Sequence, residues 1–314
     1  MRPSVIGIGA QKCASSWVHS VLGAHPQIAV SEPKEVDFFS YHFDRGYRWY
    51  EGHFGGTAAT RARCDTSPSY FYDPRAAERA RAYDPDLKII ALLRDPVARA
   101  YSNHLHEVIK GHIPPVSFEE GLRGNPAYVD QGRYHTHLSR WFEAFGRDRV
   151  LVLIAEEIPA DPAGSAARLY DFVGVDRSFT SAVTSDVRNI SDRARSPALR
   201  RALRGGGDLL RRAGLEEQLM RIKSAAPVAG MLRANSVDLR GEIAPMTEAS
   251  RSMLADIFAP ELAALARLLQ RGSFPWPTWQ AVGEPECGPA ATRAPQGAAK
   301  PTRRTDEVEH TWPI

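Results

Sequence analysis

A lysine and two serines near the start of the chain are placed where they could hold an anion. Lys12 follows an apolar run at residues 5–8, and Ser15 and Ser16 precede a segment whose apolar residues have helical spacing. This order predicts a buried strand, a turn and a helix capped by a serine. The N–H groups at the start of a helix bind anions, and a lysine in the turn adds positive charge. The segment therefore predicts a site for a phosphate-like group.

The spacing of this turn differs from that of an ATP- or GTP-binding loop. Those loops read G-x-x-x-x-G-K-[ST], so the lysine directly precedes the hydroxyl residue. Here Lys12 comes three residues before Ser15, and no glycine precedes it at the required interval. Taken alone, the turn is equally consistent with an anion site and with a plain strand-to-helix connection that carries an exposed lysine.

A second candidate anion-binding pair follows an apolar run at residues 87–93. The run predicts a central parallel strand, and Asp95 and Pro96 predict the N-cap and first residue of a helix. Arg94 is thereby placed at the carboxyl end of the strand, where open α/β sheets bind ligands, and Ser102 lies further along the helix. Arginine offers phosphate a planar fork and serine offers a hydroxyl. The alternative is that Arg94 pairs with Asp95 and Ser102 is uninvolved.

A lysine–glutamate pair beside two phenylalanines is a candidate for proton transfer. Lys34 and Glu35 shortly precede Phe38 and Phe39. Because aromatic side chains favour burial, they tend to carry neighbouring charges into a partly dry place, where a carboxylate can act as a general base. The alternative is a surface salt bridge next to a pair of core aromatic residues.

The composition indicates a globular protein of modest charge. With 314 residues, 43% of them hydrophobic, the chain is long enough to bury a substantial core. A net charge of +3, from 40 basic and 37 acidic residues, is too small to indicate nucleic-acid binding by itself. Residues 281–314 are rich in Pro, Ala, Gly, Thr and Arg, so we expect them to form a disordered tail.

The cysteines and apolar runs bear on the cellular compartment. Three cysteines, Cys13, Cys64 and Cys287, lie far apart without metal-ligand spacing, which favours a reducing compartment over a disulfide framework. The first residues lack the apolar core of a signal peptide, and no apolar run is long enough to span a membrane. We therefore expect a cytoplasmic protein with no metal site and no membrane partner.

Basic residues are concentrated between 185 and 223, where three consecutive glycines at 205–207 separate two segments with helical character. Such a cluster can grip a nucleic acid, cover an anionic cofactor, or form a solvated helix surface, and the residues alone leave these alternatives open. The cluster consists of Arg188, Arg193, Arg195, Arg200, Arg201, Arg204, Arg211, Arg212, Arg221 and Lys223.

Taken in order, three of these segments resemble the sulfotransferases that use 3′-phosphoadenosine 5′-phosphosulfate (PAPS). Residues 12–16 are similar to the family's K-x-G-T-T loop, with Ala14 in place of the glycine. Residues 22–39 are similar to L-x-x-H-P-x-I-x-x-x-x-x-K-E-x-x-F-F, and residues 94–102 to R-D-P-x-x-R-x-x-S. The resemblance covers about residues 1–280 and is to bacterial members and to the carbohydrate and heparan-sulfate type.

The resemblance implies an α/β fold in which a central, mainly parallel sheet is flanked by helices, in one P-loop-like domain over residues 1–280. It also implies in-line transfer of the sulfuryl group of PAPS to a hydroxyl or amine, without a metal, leaving 3′-phosphoadenosine 5′-phosphate (PAP). The acceptor would be a small molecule, a natural product or a carbohydrate. Neither its identity nor the oligomeric state follows from the sequence.

The resemblance further assigns roles to individual residues. Glu35 takes the proton of the acceptor, and Lys12 stabilises the charge that grows on the oxygen of the departing phosphate. Arg94 and Ser102 hold the 3′-phosphate. Arg195, with Arg193 as the alternative, belongs to a late segment that closes over the nucleotide. The backbone N–H groups that hold the 5′-phosphate are those around Ala14, Ser15, Ser16 and Trp17.

One position departs from the family pattern. Residues 65–71 are similar to the family's E-K-[TS]-P-x-Y-F stretch, but Thr66 stands where a lysine is often found. A second lysine near the transferred group therefore cannot be assigned to this position.

Two functions of other classes remain open at this point. A P-loop kinase is disfavoured by the lysine spacing and by the lack of a clear set of magnesium ligands. A basic nucleic-acid-binding protein would rest on the arginine-rich region alone. With the family resemblance, we expect an enzyme that binds PAPS and an acceptor and has no nucleic-acid partner.

Overall fold

The computed structural model describes residues 1–185 and 243–282, together with the backbone of two short strands. The strands are β1 (Val5–Gly9), β2 (Ile28–Val30), β3 (Ala62–Thr66), β4 (Lys88–Leu93), β5 (Val150–Ile154), β6 (Arg193–Ala194) and β7 (Ser236–Val237). The α-helices are α1 (Ser15–Ala24), α2 (Gly46–Glu51), α3 (Ala76–Tyr83), α4 (Pro96–Lys110), α5 (Phe118–Gly124), α6 (Ala127–Asp130), α7 (Tyr134–Phe145), α8 (Pro162–Val173), α9 (Glu248–Leu269) and α10 (Pro277–Val282).

The first five strands form one sheet in the order β2-β3-β1-β4-β5, and every neighbouring pair is parallel. This confirms the predicted α/β fold with a central parallel sheet and flanking helices. Strands β2 and β3 lie on one side of β1, and the chain then crosses over to β4 on the other side. The carboxyl ends of β3, β1 and β4 therefore meet at the reversal of strand order, where open α/β sheets bind ligands.

The two central strands are buried because helices cover the sheet. All five residues of β1 are buried, and residues 89–93 of β4 are completely inaccessible to solvent. Near-continuous apolar runs are typical of strands buried on both faces, which is why both could be recognised in the sequence. Helix α1 adds Trp17, Val18 and Leu22 to the same core.

A separate group of rings packs beneath the loop that follows β2. Phe38 stacks on Tyr50 with 4.4 Å between ring centroids, and Phe39 meets Tyr50, Tyr70 and Tyr83 edge to face at 5.2, 5.3 and 5.7 Å. Phe38, Phe39, Tyr50 and Tyr70 are completely buried. Such offset and edge-to-face arrangements are the favoured geometries of aromatic pairs, so this cluster is a firm support for the loop above it.

The last described helix is tied to the start of α4. The Thr278 N–H and hydroxyl each donate to the Asp95 carboxylate at 2.9 Å, and Trp276 Nε1 donates to Glu156 at 2.9 Å. Helix α10 ends at Val282, so the domain end predicted at residue 280 falls inside this helix. A truncation that preserves the docked helix should follow Val282.

Some predictions fall outside the part of the chain that the structure describes. They are the tail beyond residue 282 and the arginine-rich region, of which only the backbone at 193–194 is described. Across the described ranges, no helix is long and apolar enough to cross a membrane.

Candidate active site

The turn between β1 and α1 presents the start of a helix to an open cavity. Ala14 is the N-cap, with φ 68° and ψ 25°, and it makes no side-chain capping hydrogen bond. The predicted serine cap is therefore wrong, because Ser15 is already the first helical residue. The first N–H groups of a helix have no partner within it, and here no capping side chain takes them. Apart from the Trp17 N–H, which donates to the Ala14 carbonyl oxygen, they remain suited to an anion, as the sequence predicted.

Three residues of the turn have a positive φ, and close packing explains why one of them is glycine. Gly9 has φ 101°, and a Cβ at this position would lie 2.9 Å from the backbone of Pro68. Lys12 and Ala14 both have φ 68°, a region that costs free energy for a residue with a Cβ. The turn is thus held in an uncommon backbone conformation that brings Lys12 and the helix end to the same side.

A histidine on α4 holds the lysine of this turn. Lys12 Nζ lies 3.2 Å from His106 Nδ1. Burial, together with the nearby charges of Lys12 and Lys110, lowers the pKa of His106 to about 4. The imidazole is therefore neutral at pH 7, and its Nδ1 accepts a hydrogen bond from the Lys12 ammonium group. Sequence reasoning had not assigned this contact, because the two residues are 94 positions apart.

Arg94 leaves the end of β4 and turns toward the same loop. Its Nη1 donates to the Lys12 carbonyl oxygen at 3.5 Å, at the long limit for a hydrogen bond. The predicted alternative, pairing of Arg94 with Asp95, is not what the structure has. The Asp95 carboxylate accepts instead from the Ala98 N–H at 2.9 Å and from Thr278. The guanidinium group of Arg94 is thus directed to the cavity, which Ser102 also lines.

Glu35 reaches the cavity wall, but its surroundings differ from those predicted. Its Oε1 lies 2.5 Å from Lys34 Nζ, and its side chain is 48% exposed. Phe38 and Phe39 pack into the aromatic cluster below and leave the carboxylate in contact with solvent. The expected dry aromatic setting is therefore wrong. The alternative, a surface salt bridge beside core aromatic residues, is present, and the same carboxylate also lines the cavity.

A second carboxylate, which sequence reasoning missed, lies two residues further along. Asp37 lines the cavity and is mostly buried, and burial is the main cause that raises its pKa above the ordinary value. The Ser69 hydroxyl donates to Asp37 Oδ1 and lowers that pKa in part. The only signal in the sequence was an acidic residue close to Glu35, which by itself is unremarkable.

The cavity has a volume of about 920 Å³ and brings most of the predicted site residues together. The predicted residues that line it are Lys12, Ala14, Ser15, Ser16, Glu35, Arg94 and Ser102. Trp17 does not line it: its ring N–H donates to the Thr184 carbonyl at 3.0 Å, and its backbone N–H donates to Ala14 at 3.0 Å. Arg195 lies outside the described residues.

Comparison with known proteins decides the family. The sulfotransferase domain family matches residues 2–197 of the chain. The chain belongs to the sulfotransferase domain family. It is 32% identical over 187 residues to heparan sulfate glucosamine 3-O-sulfotransferase 6 of Mus musculus, an alignment that covers 57% of this chain and 54% of that protein. It is 30% identical over 196 residues to bifunctional heparan sulfate N-deacetylase/N-sulfotransferase 1 of Mus musculus, covering 55% and 22%.

A solved structure extends the comparison to most of the fold. A sulfotransferase from Alicyclobacillus acidocaldarius superposes with a TM-score of 0.62 over 86% of this chain and 97% of that one, at 24% sequence identity. At that identity the likeness concerns the fold alone. The chain spans about half the length of the 3-O-sulfotransferase that it matches.

The position where sulfotransferases often carry a second lysine is closed to solvent in this member. Thr66 is completely buried, and a Cβ on Gly7 would lie 3.1 Å from its methyl group. Thr66 does not line the cavity, whereas Lys110, the last residue of α4, does. Among the described residues, no group of three potential metal ligands comes together.

Beside Thr66, the carboxylate of Asp65 is completely buried at the end of β3. Its oxygens accept hydroxyl hydrogen bonds from Ser67 at 2.8 Å, Tyr70 at 2.5 Å and Tyr50 at 3.2 Å. Burial raises the pKa of Asp65 to about 6, although the three hydrogen bonds oppose that shift. The group is therefore ionised at pH 7, and its ionisation costs stability.

We expect this cost to appear as a pH-dependent stability difference between the protein and the Asp65→Asn variant. An unfolded Asp65 loses its proton near pH 4 and the folded one near pH 6. Between these values the folded state binds more protons, so rising pH destabilises the protein relative to the variant, by at most about 1.4 kcal/mol per pH unit. Urea unfolding of both proteins at pH 4.5, 5.5 and 7 measures this, and a constant difference would contradict it.

Proposed function

We propose that the protein transfers the sulfuryl group of PAPS to a hydroxyl or amine of an acceptor. One observation carries the proposal: a single cavity is lined by the helix end with Lys12, by Arg94 with Ser102, and by the carboxylate of Glu35. The cavity thus combines two separate places for anionic groups with a group that can take a proton. Membership of the sulfotransferase domain family supports the same conclusion.

The residues fit a nucleotide that carries phosphate at two positions. The uncapped start of α1, with Ser15 and Ser16, suits the 5′-phosphosulfate end. Asp95 does not pair with Arg94, because its carboxylate accepts hydrogen bonds from residues of α4 and α10. The guanidinium group of Arg94 can therefore bind the 3′-phosphate together with Ser102. PAP is the product that such a site would retain after transfer.

The chemistry needs positioning and charge neutralisation more than covalent help from the protein. When bound, PAPS supplies the sulfuryl group and a phosphate as leaving group. Glu35 accepts the proton of the acceptor as the acceptor oxygen or nitrogen bonds to sulfur. The bond from sulfur to the bridging oxygen breaks, its electron pair stays on the phosphate, and Lys12 neutralises that charge. No step in this scheme requires a metal.

The acceptor is proposed only as a class. One relative reported above is named for 3-O-sulfation of heparan sulfate glucosamine, and the other for N-deacetylation and N-sulfation of heparan sulfate. By analogy, we place the acceptor of this chain among small molecules, natural products and carbohydrates with a free hydroxyl or amine. We assign its recognition to cavity residues outside the two anion-binding segments, among them Tyr41 and Tyr72, whose hydroxyl oxygens are 2.5 Å apart.

Isothermal titration with PAP tests the class of enzyme before any acceptor is known. We expect PAP to bind more tightly than adenosine 5′-phosphate by a factor of about 30–150, because only PAP engages Arg94 and Ser102. Equal affinities would overturn the proposal. Magnesium-dependent hydrolysis of ATP would favour a P-loop kinase instead, and salt-dependent binding of DNA or RNA without PAP affinity would favour a nucleic-acid-binding protein.

A further inference from the structure

The loop that carries the cavity carboxylates of Glu35 and Asp37, here called the Glu35 loop (residues 34–39), has a strained backbone. Glu35 has φ 66° and Asp37 has φ 54°. Left-handed conformations are uncommon for residues with a Cβ, and two within three positions persist only when the surroundings determine them. The loop therefore needs a support outside its own sequence.

Two hydroxyl groups supply that support. The Asp37 N–H donates to Ser67 Oγ at 3.0 Å, and the Phe38 N–H donates to Tyr70 Oη at 2.8 Å. Each hydroxyl therefore acts as an acceptor toward the loop. A hydroxyl has one proton to donate, so the direction in which that proton points decides whether the oxygen can accept from the loop.

The carboxylate of Asp65 decides that direction. Ser67 Oγ donates to its Oδ1 at 2.8 Å, and Tyr70 Oη donates to its Oδ2 at 2.5 Å. An ionised carboxylate has no proton, so both hydroxyls must donate inward to Asp65 and present lone pairs outward to the loop. Asp65 itself is fixed in the sheet, where its register partner is Ile6 of β1.

We propose that Asp65 is the positioning residue of the site: acting through Ser67 and Tyr70, it holds the Glu35 loop so that the carboxylates of Glu35 and Asp37 face the cavity. Asp65 does not line the cavity, so it acts only through this network. Its effect on turnover rests on the proposed function, because it requires Glu35 to be the base. Its effect on the loop backbone does not depend on that function.

The chain offers a matched pair of variants to separate positioning from plain stability. Tyr70→Phe removes the acceptor of the Phe38 N–H together with one hydrogen bond to Asp65. Tyr50→Phe is the same chemical change in an equally buried ring, and it also removes one hydrogen bond to Asp65 Oδ2. It differs in that the Tyr50 hydroxyl accepts no hydrogen bond from an amide of the Glu35 loop.

We expect Tyr70→Phe to speed hydrogen exchange at the Phe38 amide by about tenfold or more and to lower kcat by a similar factor. The KM for PAPS and the affinity for PAP should stay within about threefold, since the helix end and Arg94 lie outside the network. Tyr50→Phe should leave exchange at Phe38 and kcat within about threefold of wild type. Equal effects of the two variants on exchange and kcat would overturn the proposal.

A second variant covers the case in which Tyr70→Phe does not fold. Ser67→Ala removes the acceptor of the Asp37 N–H. We expect faster hydrogen exchange at the Asp37 amide and a decrease in kcat like that of Tyr70→Phe, with the KM for PAPS unchanged. Unchanged exchange at Asp37 in that variant would overturn the proposal as well. If the wild-type protein shows no PAP affinity, the proposed function fails. The hydrogen-exchange rates of the loop amides still test whether the Asp65 network supports the Glu35 loop.

Discussion

Replacing Glu35 by glutamine is expected to lower turnover by about 10²–10⁴-fold, the usual contribution of a general base. The amide keeps the size and hydrogen-bonding capacity of the side chain but cannot take a proton. Because Glu35 is half-exposed and paired only with Lys34, the change should not disturb the fold. Affinity for PAP should stay within a few-fold. Single-turnover kinetics with PAPS and an acceptor, together with a PAP titration, measure both quantities.

Glu32→Gln is the matched control for this prediction. Glu32 is an exposed carboxylate on the same connection, and it does not line the cavity, so its replacement should leave turnover unchanged. Near-normal turnover in Glu35→Gln would mean that another group takes the proton. Asp37 and His106 line the cavity and would be tested next, whereas His53 lies outside it. Lost PAP binding would instead show that Glu35 belongs to the nucleotide site or to the fold.

Replacing Arg94 by alanine is expected to weaken PAP binding by about 2–3 kcal/mol, the size of a charge-assisted contact to phosphate. The effect should be selective, because the guanidinium group is assigned to the 3′-phosphate. Its contact with the Lys12 carbonyl oxygen is long, at 3.5 Å, so losing it should change the fold little. Isothermal titration of PAP into the protein and the variant measures the difference.

The ligand itself provides the control for Arg94. Adenosine 5′-phosphate lacks the 3′-phosphate, so its affinity should hardly change in Arg94→Ala. Arg94→Lys keeps the charge but loses the planar fork, so its affinity for PAP should lie between those of the wild-type protein and Arg94→Ala. Equal losses of affinity for both nucleotides would mean that Arg94 contacts the 5′-phosphate or acts only through its positive charge in the cavity. Either result would refute the assignment to the 3′-phosphate.

Local patterns were sufficient for the parts of the site that a strand and the next helix determine together. The apolar runs of β1 and β4, the turn with Lys12, and Asp95 and Pro96 at the start of α4 could all be predicted. In each case the information lies within a few residues, because burial, capping and the direction of the chain after a parallel strand are local consequences of residue type. Strand β3 is short and carries Arg63 and Asp65, so it gave no such pattern.

The sequence by itself determined the family, the parallel sheet and the two anion-binding segments, since each depends on neighbours along the chain. Only the tertiary structure decided what surrounds the reacting groups. It left Glu35 exposed while Phe38 and Phe39 entered the core, placed His106 against Lys12, and connected Asp65 to the Glu35 loop. These are contacts between distant segments, and the direction of their hydrogen bonds depends on burial and on the proton of each hydroxyl. Such properties exist only once the chain has folded.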